Sequence, residues 1–97
     1  MEKQQQQIQL RIRDDEARGV YSNAMRVKHS KEEFCLDFLN IFPPLGAVTA
    51  RVIMSPGHLK RMLKALNENL DIYEKAFGPV DIAPEPSKGG FGFSTQE

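Results

Sequence analysis

Asp37 is the sharpest anomaly among the side chains that could do chemistry. It stands inside Phe34–Phe42, the most apolar run of the chain, and a carboxylate buried there needs a partner. Arg51, on the next alternating run, has the parity to supply one. His58 falls in the first turn of a helix, where the dipole disfavours the imidazolium and would keep the ring neutral as a base or ligand. No cysteine, histidine or carboxylate stands at metal-ligand spacing around it, so a surface or capping role is preferred. His29 stands alone beside a polar turn. Cys35 would act as a nucleophile only with a base at hand and a stabilised thiolate; within a Phe/Leu run it reads as a small buried hydrophobe. Asp37, Arg51 and His58 therefore form the candidate polar site. The residues give no catalytic set, no metal site and no cofactor site.

Lys60, Arg61 and Lys64, with Arg11, Arg13, Arg26 and Lys28, could meet phosphates if they converged on one face. No nucleic-acid-binding signature accompanies them, and the aromatics fall mainly at expected core positions. A solvated helix face, with i,i+4 pairs such as Lys64 with Glu68, is the preferred reading. Gly89-Gly90-Phe91-Gly92 follows no strand and opens no helix, so it does not make a phosphate cradle.

The elements that must carry these side chains are well punctuated. Ile8, Leu10 and Ile12 alternate with Gln9, Arg11 and Arg13, the period of a half-buried strand. A charged connection, Asp14 to Gly19, leads to a second strand over Val20 to His29. After the turn Ser30 to Glu33 comes a third strand, Phe34 to Phe42. Pro43-Pro44-Leu45-Gly46 makes the connection to a fourth, Ala47 to Met54. Ser55 is a good N-cap and Pro56 suits the first helical position. Leu59, Met62, Leu63, Leu66, Leu70, Tyr73 and Phe77 then recur at spacings of three and four, which predicts a helix over 56–77 with one apolar stripe. Gly78 and Pro79 end it.

The bulk composition narrows the class. Ninety-seven residues allow one domain, with 1–7 a polar lead-in, 8–78 the folded unit and 79–97 a disordered Pro/Gly-rich tail. A core of that size is barely sufficient, which favours oligomerisation. Thirteen basic and thirteen acidic residues cancel, so charge argues for neither nucleic acid nor an anionic membrane. The distribution is uneven: residues 1–65 hold eleven Lys/Arg against seven Asp/Glu, and residues 66–97 hold two against six. The single cysteine permits no intrachain disulfide, and no leader or membrane-spanning run is visible. A soluble cytoplasmic protein is expected.

The core also resembles a family of small bacterial domains of unassigned function. The residues that carry the resemblance are Val20-Tyr21-Ser22-Asn23, His29 to Phe38, Arg51 to Leu63 around Met54-Ser55-Pro56-Gly57-His58, Ala65-Leu66-Asn67-Glu68-Asn69, Tyr73-Glu74 and Phe77-Gly78. They cover about residues 20–78. The resemblance implies a compact strand-rich domain closed by a C-terminal helix, with no known activity, cofactor or substrate.

The expected architecture is α+β, a four-stranded antiparallel meander with one amphipathic helix packed on one face, in the order ββββα. The helix-free face would carry Cys35, Leu39, Ile41 and Ile53, too apolar for open water. A symmetric homodimer, burying that face or joining edge strands, resolves the problem. A non-enzymatic homo-oligomeric interaction or assembly module is therefore expected first. A nucleic-acid-associated regulator comes second and a small-molecule-binding enzyme third.

Overall fold

The computed structural model describes residues 6–86. Three antiparallel strands and a long C-terminal helix form an α+β fold, preceded by a single helical turn. The elements are α1 (Asp14–Ala17), β1 (Ala24–His29), β2 (Phe34–Phe42), β3 (Leu45–Met54) and α2 (Pro56–Phe77). Part of the Pro/Gly-rich tail and the first five residues lie outside the described residues.

The strand expected from Ile8 to Arg13 does not form. Ile8, Leu10 and Ile12 are largely exposed and the segment pairs with no strand. Alternation makes a segment able to be a strand, but the backbone must also find an edge whose hydrogen bonds it can share. The charged connection instead coils into α1. Gly19, at φ 73, closes that turn by donating its N–H to the Glu16 carbonyl at 3.0 Å. β1 also begins later than its sequence pattern suggests, at Ala24, because Ser22 and Asn23 are engaged with strand β2 through their side chains. Ser22 Oγ donates to the Leu39 carbonyl, and Asn23 brackets Ile41 with both ends of its amide.

The sheet order is β1-β2-β3, with β2 in the centre. Register sets Arg26, Asp37 and Arg51 in one row across the sheet, with Lys28, Cys35 and Ile53 beside them. Val27, Leu36 and Val52 form a row on the other face. The pairing slips between Phe38 and Leu39, where Thr49 is the additional residue of β3 and donates its hydroxyl to the Phe38 carbonyl at 3.0 Å. Such a bulge reverses the parity beyond it. Val48 thus comes opposite Leu39 on the Asp37 face, whereas unbroken alternation would put it on the face of Ala50 and Val52.

The helix has the expected limits, fixed by its caps. Ser55 is extended and its Oγ accepts the His58 N–H at 3.2 Å, Pro56 follows, and Gly78 at φ 98 donates to the Glu74 carbonyl. Its packing differs from expectation. Pro56, Leu59 and Met62 are half-buried at its start, but no residue of α2 is buried. Leu63, Leu66, Leu70, Tyr73 and Phe77 all stand exposed. The helix leaves the sheet instead of lying across it. A period of three and four specifies that a face will be covered, but it does not specify which surface covers it. The buried hydrophobic core of the single chain comprises Leu36 and Leu39, at 2% and 4% exposure.

Candidate functional site

The central strand carries the one buried charged side chain among the described residues, Asp37, at 1% exposure. Two guanidinium groups reach it from the flanking strands. Arg26 on β1 donates to Oδ2 through Nη2 at 2.6 Å and through Nε at 3.2 Å. Arg51 on β3 donates from Nε to Oδ1 at 2.6 Å and from Nη2 to Oδ2 at 3.0 Å. The Cys35 thiol approaches Oδ1 at 3.8 Å from the same strand. Every buried side-chain polar atom among the described residues has a hydrogen-bond partner.

The ionised state of Asp37 follows from these contacts. Hydrogen bonds from Arg51 and then Arg26 hold the carboxyl far below the usual carboxylate range, against an opposing effect of burial. The same bond from Asp37 raises Arg51 further. A carboxylate so held stays ionised near neutral pH and serves as the shared anion of both ion pairs. It ties all three strands together through charge-assisted bonds.

Among the residues proposed from sequence for a polar site, Asp37 and Arg51 meet, while His58 lies elsewhere. The His58 ring Nδ1 faces Arg61 Nη2 at 3.2 Å on the same helix. Sequence parity missed Arg26. Its signal was present in the four-residue turn Ser30 to Glu33, which fixes the register that brings Arg26 opposite Asp37. The proposed interface residues divide as well. Leu39 is already buried within one chain, Cys35 and Ile41 are half-buried, and Ile53 is open to solvent at 56% exposure.

No trio of His, Cys, Asp and Glu among the described residues could hold a metal ion. A depression beside the end of α2, lined by Asp71, Glu74, Lys75 and Pro79, is broadly open to solvent. No helix among the described residues is long and apolar enough to cross a membrane. The features left unexplained are therefore apolar surfaces: the helix stripe, Ile53 on the Asp37 face of the sheet, and the exposed Met25, Val27 and Val52 on the opposite face.

This α+β architecture and its three-strand ion-pair row belong to a chain whose residues 1–82 match the family described as "Protein of unknown function (DUF3467)". The chain belongs to that family. No curated protein and no solved structure matches it.

Proposed function

We propose that this protein is a non-enzymatic, homo-oligomeric interaction module that works through protein surfaces. The observation that carries the reading is the uncovered apolar stripe of α2, from Leu63 to Phe77. Soluble monomers rarely expose a continuous apolar patch of this kind, and those that do use it to bind. A chain whose own core is so small also gains from a partner that is present whenever it folds. A second copy meets that requirement without any other gene product.

The basic residues support nucleic-acid binding less well. Arg26 and Arg51 are directed at Asp37, so part of their charge is neutralised within the sheet. A small-molecule enzyme draws its support from a convergent pocket, and the polar cluster here is occupied by its own ion pairs.

Light scattering on the purified chain at micromolar concentration tests the proposal. The expected mass is a multiple of 11.0 kDa, and Leu63→Asp should reduce it to one chain while leaving the β-sheet signal in circular dichroism. A parent protein that stays at 11.0 kDa throughout that range would contradict it.

A further inference from the structure

The apolar stripe of α2, half-buried at Leu59 and exposed from Leu63 onward, follows a strict pattern, and the exposed Ile72 lies off it. Leu59, Leu63, Leu66, Leu70, Tyr73 and Phe77 are separated alternately by four and three residues. That is the a/d repeat of a coiled coil, maintained through three heptads of a 22-residue helix. The charges beside it are ordered too. Lys60, Arg61 and Lys64 occupy the N-terminal half, and Glu68, Asp71 and Glu74, with the single cation Lys75, occupy the C-terminal half.

This order opposes the helix's own dipole, which favours acidic residues at the N-terminus and basic ones at the C-terminus. The first turn contains no acidic residue, and Lys75 in the last turn is the one charge that suits the dipole. Nor is the cost recovered within the chain. The Lys64–Glu68 pair expected from i,i+4 spacing does not form, and Lys60 and Asp71 make no ion pair among the described residues either. A second helix running the opposite way corrects all of this, because it sets acidic halves against basic halves and opposes the two dipoles.

We infer that two copies of this chain associate through an antiparallel pairing of α2 about a two-fold axis near Asn67 and Glu68. The inference rests on the homo-oligomeric reading above and specifies the partner surface. In an antiparallel coiled coil a positions layer against d positions. The register that uses the whole stripe stacks Leu66 on the partner's Leu70, Leu63 on the partner's Tyr73 and Leu59 on the partner's Phe77. The same register brings Lys60 beside the partner's Glu74, and Asn67 beside the partner's Asn67. A parallel pair would instead place cations beside cations at one end and carboxylates beside carboxylates at the other.

Charge reversal distinguishes these arrangements. Lys60 and Glu74 are about 21 Å apart along one helix, so any coupling between them must pass between copies. Lys60→Glu and Glu74→Lys, made singly, should each weaken dimerisation about fivefold to thirtyfold, because each turns two attractive pairs into repulsive ones. The double variant should return to near the parent dissociation constant. In a Cys35→Ser background, Asn67→Cys should also cross-link two copies under mild oxidation, whereas Arg61→Cys on the outer face should not.

A dimer in which the double reversal is no better than the worse single variant, and in which Asn67→Cys fails to cross-link, would overturn the antiparallel pairing and leave homo-oligomerisation standing. A different protein seated on the stripe, with the pure chain remaining monomeric, would overturn both.

Discussion

Leu66 lies at the middle of α2 and gives the most informative single substitution. It is 57% exposed in the single chain. Complete burial of a leucine is worth roughly 1.5–3 kcal/mol, so somewhat over half, about 1–1.5 kcal/mol, is still available to association. A two-fold contact uses the residue twice, giving about 2–3 kcal/mol per dimer. Leu66→Ala should then raise the dimer dissociation constant about 30- to 150-fold. Within the isolated chain the same change should cost about 1 kcal/mol or less, because little packing is lost and alanine favours the helix slightly. Sedimentation velocity over a dilution series reads the first quantity. Urea unfolding at concentrations below the dissociation constant reads the second. If α2 instead folded back on its own sheet, the substitution would leave a core cavity and cost about 2–5 kcal/mol independently of concentration. That outcome, or a dissociation constant within threefold of the parent, would refute the reasoning.

Other consequences follow from the sheet and the caps. Because the folded Asp37 carboxyl is held below its ordinary value, its contribution is complete above about pH 4, the unfolded value, and declines as pH falls further. The stability gap between the parent and Asp37→Asn should therefore be constant near neutrality and narrow below about pH 4; a gap unchanged down to pH 2 would sink the ion-pair account. Leu39→Asp, which places a charge at a buried site, should abolish the folded sheet, whereas Ile53→Asp should leave circular dichroism intact; the opposite order would show that the two exposures are reversed. Ser55→Ala removes the acceptor for the His58 N–H and should cost about 1 kcal/mol in urea unfolding, and no change in midpoint would mean the cap is not formed.

The parts of this fold that were legible in the sequence are those controlled by local chemistry. Ser55, Pro56 and Gly78 define the two ends of α2 through a cap, a fixed φ and a left-handed exit, none of which depends on distant residues. The Asp37–Arg51 pair could be read from parity because both lie on the same side of the slip at Thr49. The remainder depended on contacts between elements. Ile8 to Arg13 has the right pattern for a strand but acquires no partner edge, and Arg26 joins Asp37 only once the β1–β2 register is known. Periodicity likewise identified the stripe of α2 without identifying its cover. The sheet is the cover that the period leads one to expect, yet the stripe from Leu63 onward remains open.

The most direct test is the concentration dependence of thermal unfolding in the parent protein. A chain that closes its helix stripe only against a second copy must gain stability by mass action. Its unfolding midpoint should rise steadily over a hundredfold increase in concentration, with the dilute limit approaching the midpoint of Leu63→Asp. A midpoint that does not move across that range, together with a mass of 11.0 kDa at its upper end, would contradict the account.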